Sequence, residues 1–228
     1  MPRVPSSSPE LFSMLRLGSA ALPVGAFAYS QGLECAIAEG LIRTGKETEA
    51  WIRGVLQHSV STCDVPLLRA MREAFELRDD DELAQLDTQW RATRGTRELR
   101  DEDRQLGCSL MRLLANRQDD GLTGYHLLKS PSFGYAFAYA GLLWSIHAYN
   151  LAHAYCFSWL EAQLGAATRL VPLGQNEAQA ILGTLLVTAS IDVERGLEMD
   201  PADVSTTVPG QALCSARHEF LYSRLFRS

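Results

Sequence analysis

Three groups of residues have the types and spacing to do chemistry, and each fails at a decisive position. Gly40-Leu-Ile-Arg-Thr-Gly45-Lys46-Glu47 follows the phosphate-loop spacing as far as the lysine, but Glu47 stands where a Ser or Thr hydroxyl would bind magnesium. A carboxylate there adds negative charge beside the phosphates. Thr44 and Glu47 also form a capping-box pattern, which explains the same residues without a nucleotide. The acidic run Asp79 to Glu82 is of the kind that binds divalent metal, yet Leu83 stands where a further carboxylate is needed and no second run follows. Ser, His and Asp are all present, but no nucleophile-elbow pattern puts a serine on a strained turn. His147 and His153 fall on different sides of a helix and read as hydrogen-bonding or interface residues, not ligands. The expectation is a chain that is no enzyme, with no catalytic residues, no metal site and no cofactor.

Binding is a different matter. The segment Leu22-Pro-Val-Gly-Ala-Phe-Ala-Tyr-Ser-Gln-Gly-Leu-Glu34 is unusually apolar for a loop and punctuated by glycine. Pro23 removes a backbone donor and Gly25 permits angles closed to other residues, so the chain bends where Phe27 and Tyr29 sit. Two readings stand: the aromatics are displayed for a partner, or they tuck into the chain's own core.

The elements that must position this loop are helical. Ser8 before Pro9 reads as an N-cap leading into Leu11, Phe12 and Leu15. Leu33, Ile37 and Leu41 recur at helical spacing with Gly40 as the stop, and Thr44 opens the next helix through Trp51, Ile52 and Val55. Asp64 reads as the cap of a segment carrying Leu67, Leu68, Met71 and Phe75; Asp79 to Glu82 place negative charge at the start of another. From Thr96 to Arg117 leucines keep helical spacing while Arg94, Arg97, Arg100 and Arg104 alternate with Glu98, Asp101, Glu102 and Asp103, which reads as a solvated face of ion pairs. No charged residue lies between Lys129 and Glu161, and the polar interruptions there argue for a buried helical hairpin, not a membrane span. Its aromatics suit either a deep core or a subunit interface. A last long helix runs from Asn176 to about Leu197, Met199 to Gly210 reads as loop, and the apolar and arginine-rich end reads as loose until it docks.

Length and composition agree. The 228 residues, 46% hydrophobic and 21% charged, suffice for one domain with a sizeable core. With 21 Lys and Arg against 27 Asp and Glu the net charge is −6, so neither nucleic acid nor an anionic membrane is an expected partner. Met1 to Glu10 lacks a secretory signal, so a cytoplasmic protein is expected. Cys35, Cys63, Cys108, Cys156 and Cys214 contain no Cys-x-x-Cys pair and read as reduced, mostly buried thiols. The expected fold is all-α: a single-domain helical bundle of roughly nine or ten helices over 1–228, with a flexible N-terminus (about 1–8) and a C-terminal docking tail (about 211–228).

Four separated motifs in order give the chain a family resemblance: the Leu22 to Glu34 segment, Arg94-Gly-Thr-Arg-Glu-Leu-Arg100 with Gly107, Arg169-Leu-Val-Pro-Leu-Gly-Gln175, and the ending His218-Glu-Phe-Leu-Tyr-Ser-Arg-Leu-Phe-Arg-Ser228. The sequence resembles the urease accessory protein UreF family. The resemblance implies an all-helical, homodimeric, non-enzymatic chaperone. With UreD (also called UreH) and the GTPase UreG on apo-urease, such a chaperone couples GTP hydrolysis to nickel delivery into the urease active site. It implies a partner-binding surface for UreG and UreD that includes Pro23, Gly25, Phe27, Tyr29, Ser30, Glu34, Arg169 and Arg224, and a dimer surface that includes His153 and Phe157. Phe27 stands where some members carry Tyr, and Arg169 where some carry Lys. An alternative is a GTPase-activating regulator, with Arg224 or Arg169 entering the GTP site of UreG.

Overall fold

The computed structural model describes residues 7–115 and 128–228. The expectation of a flexible stretch over 1–8 falls mostly outside them. Among the described residues there are ten α-helices and no strand.

Helix α1 (Ser8–Leu17) is capped one residue earlier than expected: the Ser7 side chain accepts from the Glu10 amide at 3.4 Å, and Pro9 lies in the first turn. Its anchor is a buried carboxylate. Glu10 Oε1 accepts from the His147 amide at 2.9 Å and from Asn150 Nδ2 at 2.8 Å, so α1 caps the start of α8 (Ala148–Leu170). Burial pushes the Glu10 carboxyl up, but these hydrogen bonds outweigh it and hold the group below the usual carboxylate range.

Helix α2 (Leu33–Ala38) ends at Glu39, before the left-handed Gly40, and Leu41 lies beyond it, exposed. Helix α3 (Gly45–Val55) opens with the capping box as expected: Thr44 Oγ1 accepts from the Glu47 amide, and Glu47 accepts from the Thr44 amide at 3.1 Å. The phosphate-loop spacing is thereby spent on a helix start.

Helix α3 runs without a break through a π-helical stretch, Leu56–Asp64, into α4 (Val65–Leu77). Asp64 is therefore not a cap: its backbone is helical and its side chain takes no helix-start amide, because the preceding turns already supply the carbonyls that α4 needs. Helix α5 (Asp80–Ala92) does start as expected, with Asp79 accepting from the Glu82 amide at 3.0 Å.

Helix α6 (Arg97–Ala115) and α7 (Phe133–Leu143) pack together, and α4 packs on both α5 and α7. The charge-free hairpin is α7 and α8. Tyr135, Phe137 and Tyr139 of α7 are at most 1% exposed, so there the deep-core reading holds; α9 (Gln175–Glu198) covers α8. The segment 199–210 is mostly loop but ends in α10 (Pro209–His218), a helix in place of the loop and tail expected there. Four of the five cysteines are buried, and all are free.

Candidate functional site

The bent segment after α1 is built by three residues at positive φ. Gly25 (φ 89°) turns the chain into a short 3-10 turn, Ala26–Ala28, while Gln31 (φ 53°) and Gly32 (φ 87°) turn it again into α2. A Cβ on Gly32 would lie 2.9 Å from the Ser215 amide nitrogen, so this turn also sits tight against α10. Gln31 is held in the uncommon left-handed region by both ends of its amide: Nε2 donates to Glu102 at 2.8 Å, and Oε1 accepts from Trp159 Nε1 at 2.8 Å.

The two sequence readings of the loop both apply, residue by residue. Phe27 is displayed, 63% exposed, and Pro23 is exposed beside it. Tyr29 is buried, its hydroxyl donating to Gln105 Oε1 at 2.6 Å, and Ser30 and Glu34 are buried as well. The expectation that Tyr29 is displayed is thus corrected: extended backbone after the 3-10 turn points its ring at α6. Gly25 is half-buried and supplies only the turn. Of the sequence-derived surface residues, Pro23, Phe27, Arg169 and Arg224 are exposed; Tyr29, Ser30 and Glu34 are props behind them.

The end of the chain packs on this loop. The Arg227 amide donates to Ala28 O at 2.8 Å, the Ser30 amide to Ser228 O at 2.8 Å, and Ser228 Oγ to Glu102 Oε2 at 2.7 Å. Phe226 is 4% exposed. The tail's backbone finds partners on the loop and on α6, which satisfy its buried amides. Arg169, in the last turn of α8, donates to Phe27 O at 3.4 Å and sits 5.9 Å over the Phe226 ring. Arg224 Nη1 is 3.4 Å from Glu98 Oε1. Loop, α6, the end of α8 and the tail therefore meet on one face. Between α6 and the tail lies a polar hollow of about 400 Å³, lined among others by Tyr29, Glu98, Asp101, Arg224 and Arg227.

Behind the loop is a second cavity of about 470 Å³, with Asp64, Arg94, Glu102, Asp103 and Tyr155 in its wall. Arg94 Nη2 pairs with Asp64 at 2.8 Å, and its guanidinium stacks 4.4 Å over Trp90. Asp64 Oδ2 accepts from the Tyr155 hydroxyl at 2.7 Å, and Asp103 Oδ1 from Trp90 Nε1 at 2.7 Å. Burial works against the Arg94 charge, yet Asp64 and Asp103 hold its pKa above the usual range. Burial pushes Glu102 up to about 7 despite hydrogen bonds from Gln31 and Ser228. The solvated face expected for this run is corrected for Arg94, Glu102 and Asp103, which turn inward and are paired. Among the described residues no three His, Cys, Asp or Glu side chains converge to hold a metal ion.

His153 and Phe157 are far from this face in kind. They lie one helical turn apart on α8, both half-buried, with His153 Nδ1 2.8 Å from Tyr149 O. The helices packed against α8 carry exposed apolar residues: Leu11, Phe12 and Leu15 on α1, Leu186, Val187 and Ile191 on α9. Sequence reasoning missed Gln31, Glu98, Glu102, Phe226 and His218 as parts of the loop–tail face. The usable signal was that carboxylates at Glu98 and Glu102 share one side of α6.

Comparison with known proteins agrees with this architecture. The UreF family model matches residues 42–186. Proteins named urease accessory protein UreF from Azoarcus sp. (strain BH72), Teredinibacter turnerae and Ralstonia pickettii are 41%, 40% and 39% identical to the chain. The matches cover 96%, 96% and 98% of this chain and 95%, 99% and 100% of those proteins. A helical fold without strands among the described residues, four sequence motifs that all contribute to one face, and near-full-length identity around 40% lead to one conclusion: the chain belongs to the urease accessory protein UreF family.

Proposed function

We propose that this urease accessory chain is an adaptor in nickel insertion. With UreD (UreH) and the GTPase UreG it assembles on apo-urease, and GTP hydrolysis in that complex drives nickel into the urease active site. The observation that carries the proposal is the convergence of Phe27, Arg169 and the tail bearing Arg224, which gives an exposed aromatic ring flanked by cations on a rigidly held loop. Aromatic and arginine side chains are the residue types that most often carry interface energy. The work belongs in the cytoplasm, and the chain acts as a homodimer through the α8 face at His153 and Phe157, where uncharged surface extends onto α1 and α9. Among the described residues no helix is long and apolar enough to cross a membrane.

Reconstitution tests the proposal. Purified apo-urease, UreD, UreG, nickel and GTP should recover urease activity only when the chain is added; equal recovery without it would refute the role. One observation favours the alternative: Arg224 is exposed and its contact with Glu98 is long, at 3.4 Å, so exchanging that partner for a GTP phosphate would break only a weak bond. GTP turnover by UreG separates the two. An arginine finger raises the rate by orders of magnitude, roughly 10³-fold or more, whereas an adaptor changes which complexes form.

A further inference from the structure

One stripe of α8 forms a wall of the cavity of about 470 Å³ behind the loop: Tyr155, Ser158, Trp159, Ala162 and Gln163 recur at helical spacing, and all line it. Two polar tips on this stripe are already paired. The Tyr155 hydroxyl donates to Asp64 Oδ2 at 2.7 Å, and Trp159 Nε1 donates to Gln31 Oε1 at 2.8 Å. Gln163 is only 3% exposed, and no hydrogen bond reaches its amide from any described residue. A buried amide without a partner is costly, so its partner is a molecule in the cavity, water or ligand.

The charges around the cavity do not balance. Asp64, Glu102 and Asp103 line it against a single guanidinium, that of Arg94. Arg94 Nη2 stands 2.8 Å from Asp64, but Nε is 3.8 Å from Asp103, and Glu102 accepts from neutral groups, Gln31 Nε2 among them. Burial pushes Glu102 up to about 7 and Asp103 above its ordinary range, so both carboxylates would gain from a further cation. The rest of the wall is apolar and aromatic, with Val55, Val60, Leu106 and Phe133 beside the rings of α8. Rings next to acids are surroundings that hold organic cations. They do not suit a bare metal ion, which needs several converging ligands; among the described residues no three His, Cys, Asp or Glu side chains supply them. The exposed Thr206 and Thr207 stand at the rim and give the cavity a mouth.

From this arrangement we infer that the cavity is a binding site for a small organic monocation, an amidine or protonated amine on an apolar body about the size of one aromatic ring. Its N–H groups donate to Gln163 Oε1 and to the carboxylates around Arg94, and its hydrocarbon fills the space between Val55, Val60 and Leu106. The surplus negative charge excludes an anion of the same shape. A neutral amide keeps the contact with Gln163 but gains nothing from the charge. The cavity keeps this chemistry whatever the chain assembles with.

Benzamidine is the probe, with benzamide and benzoate as neutral and anionic controls of the same shape. Because Ala26 of the loop and Val208 ahead of α10 complete the wall, calorimetric titration is run on the full-length chain both alone and with UreD added. In at least one of these states benzamidine should bind with a dissociation constant of about 1 mM or tighter, benzamide at least about tenfold more weakly, and benzoate not measurably. Ala162→Phe fills the cavity, and Gln163→Leu removes the unpaired amide at similar volume, so each should weaken benzamidine at least about fivefold. Gln163→Leu should melt no lower than wild type, since no protein hydrogen bond is lost; it decides the matter should Ala162→Phe not fold. Three results would overturn the inference: no saturable benzamidine binding in either state, which leaves a cavity for water only; equal affinity for benzamidine and benzamide; or benzamidine affinity indifferent to Gln163→Leu, which puts the probe on surface carboxylates. Failure of UreD to bind the chain would count against the adaptor proposal instead, and the titration of the chain alone would still decide the site.

Discussion

The loop–tail face and the α8 face are built by opposite means. The first draws on segments separated by as many as 198 positions, as between Ser30 and Ser228, and is held by backbone hydrogen bonds to buried carboxylates. The second is a stripe of one helix, His153 and Phe157, framed by apolar residues on α1 and α9. A directional polar scaffold suits a surface that must present Phe27 and an arginine in one geometry. An apolar helical stripe suits a symmetric contact, in which matching area matters more than any one bond.

The polar scaffold should be the more fragile of the two. Replacing Arg94 by Met leaves Asp64 and Asp103 buried beside no cation, and should cost about 3–5 kcal/mol of stability in denaturant unfolding. A loss below about 1 kcal/mol would show that the network behind the loop is not what supports it. On the other face, Phe157→Asp places a charge in the proposed dimer contact and should weaken self-association by roughly 3 kcal/mol, more than a hundredfold, read as monomers by light scattering at tens of micromolar. Because Phe157 is half-buried against α1, near Gly18, helix content should persist; a wild type already monomeric at that concentration would remove the contrast.

The contrast also explains what was legible in the sequence. Caps and 3.6-residue periodicity located most of the helices, and the α8 stripe with them, because both are local patterns. The loop was found by its apolar, glycine-punctuated composition, but which aromatic faces out was not. Phe27 and Tyr29 differ only in the backbone turn between them and in whether Gln105, on a distant helix, waits for a hydroxyl. Likewise Arg94, Glu102 and Asp103 carry the same i,i+4 alternation as the exposed pair Arg97 and Asp101, and only the neighbours Trp90, Gln31 and Tyr155 decide that they turn inward. Asp64 failed as a cap for a similar reason: a continuous helix leaves it nothing to cap, so its charge goes to Arg94. Nothing local marks Ser228 as a partner of Ser30.

Titration should separate the faces in sign. Glu102 is held protonated up to about 7 in the folded chain, above its ordinary value of 4.5, so the native state binds the extra proton and stability should fall as pH rises from about 4.5 to 7, then level off. The whole limb amounts to on the order of 3 kcal/mol, and Glu102→Gln should flatten it. At the α1–α8 seam the Glu10 pKa is lowered instead, so its contribution is present above the ordinary carboxylate value and is lost as pH falls through the folded one. Glu10→Gln should therefore alter only the acid limb. A Glu102→Gln variant with an unchanged slope between pH 5 and 7 would show that this carboxyl is ionised in the fold.

The most direct test of the adaptor proposal compares Phe27→Ala and Arg224→Ala on the same two measurements, UreG affinity by titration and melting temperature. Both side chains are exposed, so each variant should bind UreG roughly thirtyfold more weakly, about 2 kcal/mol, while melting within a degree or two of wild type. Retained affinity with a melting temperature lowered by several degrees would contradict it, placing Phe27 among the residues that hold the fold and removing it from the recruiting surface.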